Sequence, residues 1–166
     1  MRATFLVFAL TLLAGCGFQL RGAYTLPYDS LYIALPQYSD IGAGLRRAIR
    51  ASVATHLTET AEGAQARFIP GIDARERLIL SLSGAGQVRE LRLRWRYGYR
   101  IVDDKGRDLV PVGQVELTRD MTYDDSNVLS KQAEETLLWR DMQGDLVQQL
   151  MRRLAAVKPV TSAIEE

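Results

Sequence analysis

Residues 90–102 alternate between apolar and polar side chains more regularly than any other part of the chain. The apolar positions are Leu91, Leu93, Trp95, Tyr97, Tyr99 and Ile101, and the basic positions between them are Arg92, Arg94, Arg96 and Arg100. Because successive side chains of a strand point to opposite faces of a sheet, this pattern predicts a strand. One of its faces is expected to lie in a core and the other to carry a row of arginines.

The same period of two predicts further strands at residues 31–35, 78–83 and 114–123. Apolar residues four positions apart, between residues 41 and 57, predict a helix that begins after Ser39 and Asp40, residue types that are frequent at helix N-termini. A longer helix is predicted from residue 130 to residue 157, ending before Pro159. Residues 103–106 are typical of a turn, and residues 83–86 of either a turn or a glycine-rich bulge.

In chain order these elements are a strand, a helix, three strands and a helix. This order predicts one α+β domain in which two helices pack on one face of a four-stranded, mostly antiparallel sheet (β-α-β-β-β-α). A content of 47% hydrophobic and 25% charged residues is typical of such a globular domain.

Residues 1–16 have the organisation of a lipoprotein signal peptide. Arg2 precedes an uncharged apolar stretch that is shorter than the roughly 20 residues of a membrane-spanning helix. The stretch ends in Leu-Ala-Gly-Cys, which resembles the lipobox of bacterial lipoproteins, whose cysteine becomes the acylated first residue. We therefore expect a signal peptide at residues 1–15, acylation of Cys16, a single domain at 16–158 and a disordered tail at 159–166. By resemblance to the sorting rules of bacterial lipoproteins, a residue other than Asp after the cysteine, here Gly17, favours the outer membrane.

Composition argues against several classes of function. Lys and Arg number 21 against 20 Asp and Glu, a formal net charge of +1 that does not indicate a nucleic-acid-binding protein. One cysteine and one histidine are too few for a disulfide or a Cys/His metal site. The histidine, His56, falls in the first predicted helix, where a structural role is expected. A lipid-anchored hydrolase would need a nucleophile paired with a base, which a single histidine scarcely permits. We therefore expect neither enzymatic activity nor a cofactor.

The basic face of residues 90–102 is a candidate binding surface. Side chains on one face of a strand lie about 6.6–6.8 Å apart, so Arg92, Arg94 and Arg96 (the arginine row) would extend over about 13 Å. Arg89 and Arg100 could lengthen the row. Guanidinium groups bind phosphate and carboxylate oxygens through paired hydrogen bonds. The alternative is a solvated sheet face whose arginines are neutralised by acids across the hairpin.

Two registers of the following hairpin bear on that alternative. In one register, Arg94 lies opposite Glu116 and Arg92 lies opposite Thr118. In the other, shifted by two residues, Arg92 lies opposite Asp120 and Arg96 lies opposite Glu116. Either register offers two acids to four or five arginines, so residual positive charge is expected. Because cross-strand pairs and exposed ion pairs add little stability, the excess of arginine favours an anion-binding surface over a purely structural one.

Four further motifs occur along the chain in a distinctive order. They are Cys16-Gly17-Phe18-Gln19-Leu20-Arg21-Gly22, Arg119-Asp120-Met121-Thr122-Tyr123-Asp124, Val128-Leu129-Ser130-Lys131 before Glu134-Glu135, and Asp141-Met142 before Gln149-Leu150-Met151-Arg152-Arg153-Leu154. Together they resemble the LptE family of lipopolysaccharide-assembly lipoproteins of Gram-negative outer membranes. The resemblance covers nearly the whole mature chain, resting on architecture alone between residues 36 and 88.

This resemblance implies the same α+β architecture, a lipid anchor in the outer membrane and a location on its periplasmic side. It also implies a 1:1 complex in which the chain plugs the lumen of the LptD β-barrel, assists barrel assembly and binds lipopolysaccharide during insertion into the outer leaflet. Lys131 matches a basic ligand-binding position of the family. The family's other basic position falls at Gly84-Ala85-Gly86, and Arg89 or Arg92 is expected to compensate. The expected lipopolysaccharide-binding residues are Lys131, Arg89, Arg92, Arg94 and Arg96.

A second function fits the same sequence features. A lipid-anchored periplasmic adaptor could dock onto a different envelope-assembly complex through an edge of its sheet. The two functions predict different contacts, because a plug meets the interior of a barrel on several sides.

Overall fold

Residues 24–52 and 54–156, the part of the chain that the computed structural model describes, form a mixed sheet and two helices. The strands are β1 (Ser30–Ile33), β2 (His56–Thr58), β3 (Ala66–Leu82), β4 (Val88–Val102) and β5 (Asp108–Thr122), and the helices are α1 (Asp40–Arg50) and α2 (Val128–Ala156). A short 3-10 helix, Asp125–Asn127, precedes α2. The expected signal peptide, Cys16 and the tail at 159–166 lie outside the described residues.

The sheet has five strands in the order β2-β1-β3-β4-β5. β1 pairs in parallel with both β2 and β3, whereas β3, β4 and β5 form an antiparallel meander. The α+β class and the two helices are therefore confirmed, and the four-stranded sheet is corrected to a five-stranded one that is partly parallel.

The first helix is shorter than its sequence pattern predicts. Its N-terminus is confirmed, because the Ser39 hydroxyl accepts a 3.1 Å hydrogen bond from the backbone N–H of Gly42. It ends at Arg50 instead of continuing to residue 57. The backbone N–H of His56 donates to the carbonyl of Asp29 at 2.8 Å, which starts β2 beside β1. The predicted helical position of His56 is therefore wrong: it lies in an exposed edge strand.

β3 is much longer than the predicted strand at 78–83, because it begins at Ala66. Pro70 and Gly71 argue against a strand in the sequence, but the structure absorbs them in a register shift between Pro70 and Asp73. Gly98 of β4 faces this irregularity closely, since a Cβ on it would lie 3.0 Å from the backbone nitrogen of Ile72. The added length matters for the site, because it brings Glu76 into the sheet.

β4 confirms its alternating pattern. Its odd-numbered apolar side chains, from Leu91 to Ile101, are buried against the helices, and Trp95 also donates a 2.7 Å hydrogen bond to Asp73. The even-numbered side chains lie on the other side of the sheet, which we call the open face. At the end of β4, the turn predicted at residues 103–106 is confirmed by Gly106, with φ of +80°, and by the Asp103 carboxylate, which accepts from two backbone N–H groups.

The turn between β3 and β4 settles the choice left open for residues 83–86. Ser83 donates its backbone N–H to the carbonyl of Gln87 at 2.7 Å, and Gly86 has a φ of +79°. The segment is therefore a hairpin turn, with register shifts in the strands just before it. Positive φ is strained for most side chains, which accounts for glycine at this position.

α2 begins at Val128, two residues before its predicted start, and packs along the sheet through Met142, Leu146, Leu150 and Leu154. α1 packs closely against it at Gly44, where a Cβ would lie 2.8 Å from the Val147 Cγ2. In the described residues, neither helix combines the length and apolarity that a membrane crossing requires.

Candidate functional site

The arginine row lies on the open face of β4, and its first member is paired with β5. Arg92 lies opposite Asp120, and Arg96 lies opposite Glu116, so the second of the two predicted registers is observed. The Arg92 guanidinium donates to both carboxylate oxygens of Asp120, at 2.7 and 2.8 Å. This bidentate contact holds the pKa of Asp120 below its usual range.

The other two members of the arginine row share a carboxylate from β3. Glu76 accepts hydrogen bonds from Arg94 and from Arg96, and these two contacts hold the pKa of Glu76 below its usual range. Arg100, farther along the same face, lies 3.8 Å from Asp108. The expectation that only two acids face the arginines is therefore wrong, because β3 and the start of β5 supply further carboxylates.

Glu76 is the residue of the open face that the sequence prediction missed. It lies just outside the predicted strand at 78–83, so its charge was not placed in the sheet. Ala74, Glu76 and Leu78 continue a period of two upstream of that strand, opposite Arg96, Arg94 and Arg92. That extended alternation was the available signal, and Pro70 and Gly71 obscured it.

A second group of basic side chains lies where the β3–β4 hairpin meets the start of α2. Arg89 and Lys131 line a cleft of about 490 Å³ there, which we call the hairpin cleft. Its other lining residues are Ser81, Glu90, Thr122, Tyr123 and Asp124. The structure thus brings together two of the five predicted ligand residues, and places the other three, Arg92, Arg94 and Arg96, on the open face.

Local backbone geometry explains why Arg89 and Lys131 converge. The backbone N–H of Tyr123 donates to the carbonyl of Arg89 at 2.8 Å, which joins the end of β5 to the start of β4. The chain then turns through the 3-10 helix, where the Asp124 carboxylate accepts from the backbone N–H of Ser126 at 2.9 Å. α2 follows at once, so Lys131 in its first turns faces back toward the hairpin.

The Lys131 side chain is held in place rather than free in solvent. It is 17% exposed, and its ammonium donates to the Thr122 hydroxyl at 3.1 Å and to Glu134 Oε2 at 2.8 Å. An ammonium carries three donors, so these two contacts leave one N–H for another acceptor. Arg89 is exposed beside it.

The carboxylates that line the hairpin cleft are engaged by neighbouring groups. Asp124 has a pKa below its usual range because the Ser126 backbone N–H and hydroxyl donate to it, with a smaller contribution from the charge of Arg89. Glu90 accepts a 3.0 Å hydrogen bond from the Ser81 hydroxyl. The lining is therefore of mixed charge. Its two cationic groups are able to contact an anion, and its two carboxylates accept hydrogen bonds from serine residues of the protein.

One turn beyond Lys131, a buried acid fixes α2 to the sheet. Glu135 Oε1 accepts a 2.7 Å hydrogen bond from Arg77 of β3 and a 2.9 Å hydrogen bond from the Trp139 indole. The Trp139 ring in turn meets Trp95 edge to face, with centroids 6.1 Å apart. In the sequence, Glu135 entered only as part of a family motif, and this contact was not predicted. The contact helps to set the position of the helical turn that carries Lys131.

The family model LptE, described as lipopolysaccharide-assembly, matches residues 28–154 of the chain. The chain belongs to the LptE family. Relatives described as LPS-assembly lipoprotein LptE, from Yersinia pestis (strain Pestoides F) and Yersinia pseudotuberculosis serotype O:1b, are 28% identical over 155 residues. The alignment covers 90% of this chain and 72% of those proteins.

Solved structures give the same result for the fold. The uncharacterized lipoprotein B of Nitrosomonas europaea superposes with a TM-score of 0.72 at 38% identity, covering 84% of this chain and 91% of that one. The rare lipoprotein B of Shewanella oneidensis superposes with a TM-score of 0.66 at 20% identity, covering 76% and 94% of the two chains. A minor lipoprotein of Acinetobacter baumannii reaches 0.64 at 23% identity, with coverage of 80% and 94%. The last two show a shared fold alone.

Membership of the LptE family confirms the resemblance seen in the sequence. It gives the chain a role in lipopolysaccharide assembly at the outer membrane, as a lipoprotein, and is consistent with a non-enzymatic function. Acylation of Cys16 and the roles of individual ligand residues stay predictions.

Proposed function

We propose that this chain is an outer-membrane lipoprotein, anchored through acylated Cys16, that plugs an LptD β-barrel, helps it assemble and binds lipopolysaccharide in the hairpin cleft. The observation that carries the proposal is the convergence of Arg89 and Lys131, distant in sequence, on one cleft. Membership of the LptE family supports the class of ligand and of partner.

The chemistry of the cleft suits the phosphorylated part of lipopolysaccharide. Lipid A and the inner core carry phosphates and carboxylates. An exposed guanidinium such as that of Arg89 can bind two oxygens of one phosphate, whereas the Lys131 ammonium acts as a fixed point charge. A volume of about 490 Å³ lies within the usual range of ligand sites and accommodates a phosphorylated sugar.

The arginine row has a different part in this proposal. Arg92, Arg94 and Arg96 already contact Asp120 and Glu76, so an anion would have to replace ion pairs that the fold makes itself. We assign these residues to the open face, where they form a near-neutral polar surface. Such a surface matches the polar interior wall of a large barrel and the water that fills the remaining lumen.

One observation favours the adaptor alternative. β1 pairs with β3 only from Ala66 to Phe68, so within the described chain the rest of β3 has no strand on that side. An edge of this kind can accept a strand from another protein. Charged residues such as Asp73, Arg75 and Arg77 along it work against such pairing, and this is why we rank the adaptor second.

Two experiments test the two parts of the proposal. For the ligand, the lipidated protein is titrated with purified lipopolysaccharide, and the double variant Arg89→Ala/Lys131→Ala is expected to bind at least tenfold more weakly. Lys105→Ala, which removes an exposed lysine at the other end of the sheet, is the control. For the partner, crosslinkers placed on the open face and on α2 should both capture one large barrel protein. Capture from the β3 edge alone would favour the adaptor.

A further inference from the structure

Three large apolar side chains are exposed at the end of β3, next to the hairpin cleft. Ile79 is 59% exposed, Leu80 is 42% exposed and Leu82 is 56% exposed. We call these three residues the apolar end. Ser81, which they surround in sequence, lines the hairpin cleft together with Arg89 and Lys131.

The apolar end is continuous with the hairpin cleft on the side of Leu80. Leu80 lines a small cavity of about 160 Å³ together with Glu90 and Thr122. Both of those residues also line the hairpin cleft. A ligand that occupies the cleft can therefore extend over Leu80 without leaving the surface of the protein.

Ile79 adjoins the cleft on the side of α2. Arg77, two residues earlier in β3, contacts Glu135 of α2. Two residues along a strand advance about 6.6 Å, and four residues along a helix about 6 Å. Ile79 follows Arg77 by two residues in β3, and Lys131 precedes Glu135 by four residues in α2. Both lie nearer the hairpin than the Arg77–Glu135 contact, by about the same distance, so Ile79 lies at the level of Lys131.

Folding does not require these positions to be apolar. A strand end with its side chains exposed tolerates Thr, which has high β propensity and exposes less apolar surface. Single exposed apolar residues are ordinary on protein surfaces. Ile79 and Leu80 point to opposite faces of β3 and so flank the hairpin cleft on two sides, and three exposed apolar residues within four positions beside one cleft are of the kind that marks interaction sites.

We propose that the apolar end binds the acyl chains of the same glycolipid whose phosphates contact Arg89 and Lys131. The inference rests on the proposed function and adds to it a second subsite of opposite chemistry. A phosphorylated, acylated glycolipid presents anionic groups beside hydrocarbon, and the hairpin cleft and the apolar end present cationic groups beside exposed leucine and isoleucine in the same arrangement. An apolar segment of a partner protein is the competing occupant.

The test compares two ligands on three variants. The ligands are purified rough-type lipopolysaccharide and the oligosaccharide phosphate left after removal of all its acyl chains. The first variant is Ile79→Thr/Leu80→Thr/Leu82→Thr, and the second is Arg89→Ala/Lys131→Ala. The control is Val112→Thr, which removes an apolar residue of β5 that is more exposed, at 75%, than any of the three.

The apolar-end variant is expected to bind acylated lipopolysaccharide at least tenfold more weakly than the wild-type protein and to bind the deacylated ligand unchanged. Unchanged binding of the acylated ligand would overturn the inference, and so would equal loss of both ligands, which would indicate damage to the cleft. Loss of barrel association with intact lipopolysaccharide binding would assign the apolar end to a protein partner. If the triple variant does not fold, as judged by circular dichroism, Leu80→Thr alone is tested by the same criteria.

The second variant separates this inference from the proposed function. It should weaken the binding of both ligands, because it acts on the phosphates that they share. If it weakens neither, the hairpin cleft is not the ligand site and both proposals fail. If it weakens both while the apolar-end variant has no effect, the proposed function stands and the acyl subsite alone is wrong.

Discussion

The ammonium of Lys131 donates a 3.1 Å hydrogen bond to the hydroxyl of Thr122, which joins the start of α2 to the last residue of β5. This contact, with the one to Glu134, fixes the direction of a side chain that is otherwise among the most flexible. The Lys131 side chain is therefore already ordered in the folded protein. A ligand that binds it loses less side-chain conformational entropy, which favours affinity.

Replacing Thr122 by Val should weaken lipopolysaccharide binding about fivefold, since one hydrogen bond that positions Lys131 is worth about 1 kcal/mol. Affinity is measured by titration of the purified protein with lipopolysaccharide. Thr118→Val, an exposed substitution of the same kind on the same strand, is the control. Equal effects of the two variants would show that Lys131 needs no such positioning.

The bridge between Glu76 and the arginines of β4 should make stability depend on pH. Because the folded-state pKa of Glu76 is lowered, its stabilisation is present above the ordinary pKa of glutamate, about 4.3, and is lost as pH falls through the folded-state pKa. The difference in urea midpoint between the wild-type protein and Glu76→Gln should therefore shrink between neutral pH and about pH 3. Glu116→Gln controls for the loss of one exposed carboxylate from that face. A difference independent of pH would contradict the bridge.

Two glycines in the helices should respond in opposite ways to alanine. Gly144 has open space around its Cβ position, so Gly144→Ala should stabilise the protein by up to about 1 kcal/mol through helix propensity. Gly44 faces Val147 at 2.8 Å, and Gly44→Ala should lose that gain to a steric conflict of about 1–3 kcal/mol. Free energies of unfolding in urea decide the matter. Equal stabilisation by both substitutions would mean that the two helices are not in close contact at this point.

Removal of the buried Glu135 carboxylate should destabilise the fold. Glu135→Ala leaves the Trp139 indole N–H without its acceptor, at a cost of about 1–3 kcal/mol in the free energy of unfolding. Asp141→Ala, an exposed acid two turns along the same helix, is the matched control. If the two variants unfold at the same urea concentration, Glu135 does not fix α2 to the sheet.

The sequence predicted the elements whose local signal and tertiary environment agree. β4 alternates strictly because one of its faces is core and the other is not, and the α2 stripe from Met142 to Leu154 lies against the sheet as its spacing indicates. The end of α1 and the start of β3 were misjudged, because in each case pairing with another strand overrode the local pattern. Leu57 continues the helical spacing of α1, yet it packs, partly buried, against the core from β2, which pairs with β1.

The candidate site divides in the same way. Arg92 and Asp120 could be paired from the sequence, since the turn at residues 103–106 restricts the register to a few choices. The contact of Glu76 with Arg94 and Arg96 could not be predicted, because the position of Glu76 depends on the register shift that β3 makes after Pro70. The cleft shared by Arg89 and Lys131 depends on the path of the chain from β5 into α2, which no periodicity records.

The central claim is that lipopolysaccharide binds at the hairpin cleft and not along the arginine row. A photoactivatable side chain is introduced at Ser81, in the cleft, and in a second variant at Thr118, which lies opposite Arg94 on the open face. After irradiation of cells that make lipopolysaccharide, we expect an adduct detected by antibody to lipopolysaccharide at residue 81 and none above background at residue 118. An adduct at residue 118 without one at residue 81 would contradict the account.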